Sequence, residues 1–328
     1  MFLFEPHVTI AVAVSGGSDS MALLHLLHSV LSRSSQPPPA RGGEALVAVT
    51  VEHGLRAESL TEAKAVGTWC KQHNIEHHIL PWTGTKPKTA VHEAARAARY
   101  ELLENFCRQH HILHLATAHH ADDQAETILQ RIAKASGPHG LSGMAEHSFT
   151  PQLHLWRPLL HVRKSELVNY CEVHKIPCAR DPSNENEKYA RGRLRGAAEV
   201  LAAEGLTVEN LGRLAQKQRE MVRVLESEAV RFLATHAKLI PVTRAEISMD
   251  SFRAAPVAVQ QTALEYVLKL VGQHHAPIRY DNLASLCAAL SVSEFRAKTL
   301  GYCRIASKRI SKQDFILITP ENAATRKA

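Results

Sequence analysis

The sequence predicts an α/β fold, a parallel sheet with helices on both faces, followed by a smaller, mainly helical α+β domain. Three observations carry that expectation. Short apolar runs alternate with helical periodicity in the first part of the chain, those runs are apolar at successive positions, and the pattern changes near Gly212. A strand that is apolar on both sides must be covered on both faces, and intervening helices supply the cover.

The first run is Val8 to Val14, the second Ala45 to Val51 and the third Ile112 to Ala118, each followed by a helical pattern. Before the second strand, Ser34 to Gly43 (SSQPPPARGG) cannot continue a helix and should form a surface loop. A helix is expected from Thr89 to about Gln109. At about 100° per residue its buried stripe is Val91, Ala94, Ala95, Ala98, Leu102 and Phe106. Glu93, Arg96 and Tyr100 then lie opposite, Arg99 sits at the edge, and Arg96 is expected to pair with Glu93 along the helix. Beyond Gly212 a long helix should run through Leu225 and Phe232, another should span Val257 to Val271, and short strands around Lys308 to Gln313 should lie between Thr299 and Thr319. The expected domains are residues 1–212, which hold the chemistry, and residues 213–328.

With 328 residues, 45% of them hydrophobic and 22% charged, the chain can bury two cores. No apolar run approaches the roughly 20 residues that cross a bilayer, and the N-terminus lacks a basic flank and a cleavage site, so neither a membrane nor secretion is expected. The six cysteines include no Cys-x-x-Cys pair. That disfavours a disulfide scaffold, a zinc ribbon or a dithiol redox site, and fits a cytoplasmic protein. The net charge of +7 is unevenly placed: residues 1–212 hold 21 Lys and Arg against 22 Asp and Glu, whereas residues 213–328 hold 18 against 10. A neutral part joined to a basic one suggests chemistry in the first and polyanion binding in the second, a soluble basic surface being the plainer alternative.

The strongest chemical signal is Ser15-Gly16-Gly17-Ser18-Asp19-Ser20, directly after the apolar IAVAV and before a helix starting near Met21. Two glycines let the backbone turn tightly, serines cap or donate, and a helix start points free N–H groups at an anion. This is a phosphate cradle without the lysine of a Walker A loop. Asp19 is placed to hold Mg²⁺ on a pyrophosphate group, because Mg²⁺ prefers one or two carboxylates plus phosphate oxygens.

SGGSDS after a first strand resembles the loop of the ATP-pyrophosphatase (PP-loop) superfamily, which cleaves ATP between the α and β phosphates. Further motifs follow in order: VEHGLR at Val51 to Arg56, EAARAARY at Glu93 to Tyr100, HHADDQAET at His119 to Thr127, GLSGM at Gly140 to Met144, RPLL at Arg157 to Leu160 and DPSN at Asp181 to Asn184. Together they resemble the tRNA(Ile)-lysidine synthetase family over most of residues 8 to 195. The resemblance implies ligation of free L-lysine to C2 of the wobble cytidine in the CAU anticodon of an isoleucine tRNA, through an adenylated base, with ATP converted to AMP and pyrophosphate. ATP and Mg²⁺ are the implied cofactors, and a homodimer is one arrangement left open.

Under that resemblance Arg99 belongs to the active site, where a guanidinium can clamp a lysine carboxylate or a phosphate. Asp123 and Glu126, three apart on one polar helical face, can bind the incoming ammonium and help to deprotonate it, since a protonated amine cannot attack. Asp122 is read as a helix cap, and a metal site in the His-His-x-Asp-Asp cluster as a chance pattern among 21 histidines. His53 and Arg56 follow the second strand and should contact the nucleotide or the acceptor base. Glu52 stands where Asp or Asn is usual in the family, and Gly192 where Asn is usual. Arg191, Arg193 and Arg195 are candidates for ATP or anticodon-loop phosphates, with a solvated basic face as the alternative. Lys298, Arg304, Lys308, Arg309 and Lys312 are candidates for gripping tRNA phosphates. A tRNA sulfur transferase would need reactive cysteines, a small-molecule amidating ligase would not need the basic third, and a non-catalytic RNA-binding protein would not need the intact cradle.

Overall fold

The structure, a computed structural model, describes residues 8–33, 46–54, 58–84, 86–87, 89, 91–150, 152–179, 193–194, 196–273, 278–292, 294–310 and 312–321. The loop at Ser34 to Gly43 and the DPSN turn fall outside these residues. The chain divides into two compact units, Met1–Arg131 with Gly143–Leu214, and Ile132–Ser142 with Ala215–Ala328.

The first unit is built on a six-stranded sheet in the order β3-β2-β1-β4-β6-β5. The strands are β1 (Ile10–Ala13), β2 (Leu46–Glu52), β3 (Glu76–Pro81), β4 (His114–Ala116), β5 (His147–Phe149) and β6 (His154–Trp156). All neighbours run parallel except the edge pair β5 and β6. Alternation along β1 explains its unbroken apolarity. Ile10, Val12 and Val14 face one core with residues of α1 (Ser18–Arg33), α2 (Ser59–Gln72) and α6 (Lys164–Val173). Ala11 faces the other with Leu103, Phe106 and Cys107 of α3 (Val91–Gln109). The sheet is thus covered on both faces, as expected for a parallel sheet.

The three apolar runs become β1, β2 and β4, but β3, β5 and β6 went unforeseen. The α3 stripe is also shifted: Ala95, Leu103, Phe106 and Cys107 are its buried residues, with Leu102 only half-buried. The remaining helices are α4 (Ala121–Ala133), α5 (Pro138–Leu141), α7 (Ala198–Ala203) and α8 (Val208–His236).

The second unit carries a five-stranded antiparallel sheet in the order β7-β8-β11-β10-β9. Its strands are β7 (Ala237–Ile240), β8 (Arg244–Ser248), β9 (Lys298–Leu300), β10 (Cys303–Ile310) and β11 (Gln313–Pro320). Its core joins Ala245, Ile247, Ile305, Ile316 and Ile318 to side chains of α9 (Met249–Ala254), α10 (Val257–Gly272) and α11 (Tyr280–Ser291). Period-two burial along β8 and β10 leaves Arg304 and Lys308 on the solvent side. Among the described residues no helix is long and apolar enough to cross a membrane.

Candidate active site

Strand order fixes where a site can form. From β1 the chain winds outward through β2 and β3, then returns to place β4 on the other side of β1. Loops leaving β1 and β4 therefore diverge to opposite faces and open a crevice at the carboxyl edge, where ligands of open α/β sheets bind. The SGGSDS segment leaves β1 and the HHADD segment leaves β4. A cleft of about 220 Å³ lies there, lined by Ser15, Asp19 and Ser20 from the first segment, Thr117, His119 and Asp123 from the second, and Arg96, Arg99 and Tyr100 from α3.

The cradle is tied by its own side chains. Ser20 Oγ accepts from Ser15 N at 3.1 Å, donates to Gly17 O at 3.0 Å and lies 3.2 Å from Ser15 Oγ. Buried Ser20 thus shapes the turn, while exposed Ser15 faces outward. Gly16 has φ +87°, a conformation L side chains rarely adopt, and its carbonyl accepts from Ala179 N at 2.9 Å. Asp19 opens α1 and accepts from Ser18 Oγ at 3.1 Å.

Asp19 also meets the group that organises the cleft floor. His120, 2% exposed, has Nε2 3.5 Å from Asp19 Oδ2 and 3.4 Å from Asp123 Oδ2, and Nδ1 3.6 Å from Asp122 Oδ2. Burial alone would lower its pKa, but bonds to Asp122 and Asp19 and the charge of Asp123 outweigh it and raise the value to about 9. The same imidazolium, against the opposing effect of burial, holds the Asp19 carboxyl below its ordinary value. The Asp19 carboxylate at the cleft thus stays ionised beside a buried cation. Asp122 caps a different helix from the one expected: it accepts from Lys164 N, the first residue of α6, at 2.8 Å and lies 3.5 Å from Arg163. Among the described residues no group of three or more His, Cys, Asp or Glu is arranged to hold a metal unaided.

The predicted residues are only partly brought together. Asp19, Asp123 and Arg99 share the cleft with Ser15 and Ser20. Glu126 sits a turn beyond Asp123, 6% exposed, and is not among the lining residues. His53 approaches through Arg99, whose Nη2 and Nε lie 3.2 and 3.4 Å from His53 Nε2. Burial, then the Arg99 charge, push His53 down to about 4, so the ring is neutral. Arg56, Arg191 and Arg195 lie outside the described residues, and Arg193 is exposed. Arg96 corrects an expectation: it forms no ion pair with Glu93 but lies over the Tyr100 ring at 5.3 Å, on the cleft wall. The i, i+3 spacing of Arg96 and Arg99 was the available signal that both share one helical side. His120 was legible only as a member of a histidine pair, because its role depends on Asp19, a hundred residues away in sequence.

Fold and crevice together define a PP-loop protein, and residues 3–201 match the PP-loop domain family. The U34-tRNA thiolase NcsA from Methanococcus maripaludis shares this fold, with a TM-score of 0.56 at 18% identity over 66% of this chain and 74% of its own. More specific likeness comes from sequence. The chain is 38% identical to the tRNA(Ile)-lysidine synthase of Methylobacterium nodulans, over 84% of this chain and 78% of that one. It is also 38% identical to that of Bradyrhizobium diazoefficiens, over 86% and 78%, and 33% identical to that of Orientia tsutsugamushi, over 92% and 68%. The chain belongs to the tRNA(Ile)-lysidine synthase family.

Proposed function

We propose that this protein is an ATP-dependent ligase that joins the ε-amine of free L-lysine to C2 of the wobble cytidine in a CAU-anticodon isoleucine tRNA, releasing AMP and pyrophosphate. The carrying observation is the convergence, at one switch-point crevice, of an anion cradle, the carboxylates of Asp19 and Asp123, the first of them held ionised, and an arginine pair on α3. Each part matches one demand of the reaction. The Gly16–Gly17 turn and the start of α1 offer backbone donors for the phosphates, with Ser15 and Ser18 beside them. Asp19, ionised at the loop mouth, is the residue that would hold Mg²⁺ there. When bound, the metal neutralises charge on the departing pyrophosphate.

Arg99, with neutral His53 accepting from it, offers a cation to an anionic group, either a nucleotide phosphate or the lysine carboxylate. Asp123 at the wall and Glu126 behind it suit the ammonium of lysine: a carboxylate binds the cation and then takes its proton, freeing the lone pair that attacks C2. The cytidine must be splayed out to be read at its Watson–Crick edge. Arg193 and the exposed cations Lys298, Arg304, Lys308, Arg309 and Lys312 are assigned to tRNA phosphates, in keeping with the basic balance of residues 213–328. A tRNA sulfur transferase is disfavoured, because burial raises the thiols of Cys70, Cys107 and Cys171 to about 12 and no cysteine lines the cleft.

Counting AMP tests the reading. Release should require the isoleucine tRNA and Mg²⁺, and lysine should be consumed one for one with AMP. AMP formed equally without tRNA would point to a small-molecule ligase instead.

A further inference from the structure

Glu52 ends β2 at the same sheet edge as the cradle, yet it turns back onto its own loop. Its Oε1 accepts from Gly54 N at 2.5 Å and from Ser59 Oγ at 2.5 Å. On the other side of Gly54, Lys86 Nζ donates to the Gly54 carbonyl at 2.7 Å. Gly54 is therefore gripped at its N–H by an anion and at its carbonyl by a cation, both charge-assisted and both stronger than neutral bonds. The grip is backed by Trp82, whose N–H donates to Glu52 O at 2.8 Å. The Trp82 ring lies under Lys86 at 5.6 Å and edge-on to His53 at 6.0 Å. His53 sits between Glu52 and Gly54, so fixing those two fixes its ring. Because His53 Nε2 accepts from the Arg99 guanidinium, its proton belongs on Nδ1.

We propose that Glu52 is a positioning residue: by clamping Gly54 against Lys86 it fixes the ring and tautomer of His53, which in turn holds Arg99 at the cleft. Glu52 itself touches no ligand. The activity arm of the test rests on the proposed ligase reading; the spectroscopic arm does not. Both bonds to Glu52 converge on a single oxygen, so a glutamine amide carbonyl can accept both, whereas a carboxylate that bound a cation or a base directly could not be replaced by an amide.

The experiment compares Glu52→Gln, Glu52→Ala and Lys86→Met with the wild type. Nitrogen-15 shifts of the His53 ring, assigned by difference from His53→Asn, report the tautomer in the free protein. A defined Nδ1–H tautomer is expected in the wild type and Glu52→Gln, and averaging in Glu52→Ala and Lys86→Met. In lysine ligation, Glu52→Ala should raise KM for ATP or lysine roughly tenfold, the loss of one charge-assisted contact, with kcat little changed. Glu52→Gln should restore it. If Glu52→Gln matches Glu52→Ala in both readouts, or if Glu52→Ala and Lys86→Met leave the tautomer intact, the clamp is overturned. Should Glu52→Ala not fold, Lys86→Met decides alone through the same shifts. A wild type that ligates no lysine while its His53 shifts respond as stated would fail the functional reading and keep the clamp.

Discussion

Asp19, Asp123 and Glu126 differ in what surrounds them, and that difference separates their expected roles. Asp19 faces the cleft beside the cradle and is bonded to a buried imidazolium, so Asp19→Ala should abolish AMP release. Near-normal release would remove Asp19 from the metal role. Glu126 lies behind the wall, and Glu126→Gln should slow transfer of lysine to the adenylated base more than adenylation of the base with release of pyrophosphate. Equal loss of both would count against the division between ATP-side and lysine-side carboxylates. His77 makes a stability prediction. Its Nε2 lies 2.8 Å from Thr50 Oγ1, and burial lowers its pKa from 6.5 to about 4. The unfolded chain therefore takes up that proton first. The contribution is fully present above pH 6.5 and is lost as pH falls from 6.5 towards 4. In urea unfolding at a series of pH values, His77→Gln should lose less stability across that window than the wild type; parallel curves would show that the depression is absent.

Strands were legible in the sequence where apolar residues run unbroken along them and hidden where histidines interrupt the run, even when those histidines are buried, as in β6. β1 and β2 are apolar on both faces because both faces are covered, and that pattern needs no tertiary knowledge. β3 reads EHHILP and lies at the sheet edge, β5 reads HSF and β6 reads HLW. Their histidines find partners across strands, as when His154 meets His114 at 2.8 Å and His147 at 2.9 Å, so polar letters hid real strands. The cradle was legible because its residues are contiguous, whereas His120 and the Glu52 clamp join residues distant along the chain. The GLSGM segment shows the same limit. Gln124 on α4, buried, accepts from Met144 N at 2.7 Å and donates to Met144 O at 2.8 Å. Gly143, at φ +69°, allows it: a Cβ there would lie 2.5 Å from Gln124 Oε1. Gly205 has φ +83° but nothing within 4 Å of its Cβ position. Gly143→Ala should therefore destabilise by about 2–4 kcal/mol and Gly205→Ala by only about 1–2 kcal/mol, the backbone term alone. Equal midpoint shifts in thermal unfolding would mean that the Gln124 contact carries no weight.

For the whole molecule, charge separation is the largest feature that composition alone revealed. The cations of the second sheet are not equivalent: Lys308 lies 3.7 Å from Glu246 and Arg309 3.9 Å from Asp314, whereas exposed Arg304 alternates with the buried core of β10. If this face holds tRNA phosphates, Arg304→Ala should weaken binding of any tRNA and lower the salt slope by about one. Binding that stays unchanged at low salt would return these residues to the role of a soluble surface. The most direct test of the central claim is transfer of labelled L-lysine to an unmodified CAU-anticodon isoleucine tRNA transcript with ATP and Mg²⁺, with the methionine tRNA as control and AMP counted in parallel. Label should enter the isoleucine tRNA alone, matched by AMP. AMP without labelled tRNA, or label in neither tRNA across a range of metal and salt conditions, would contradict the assignment.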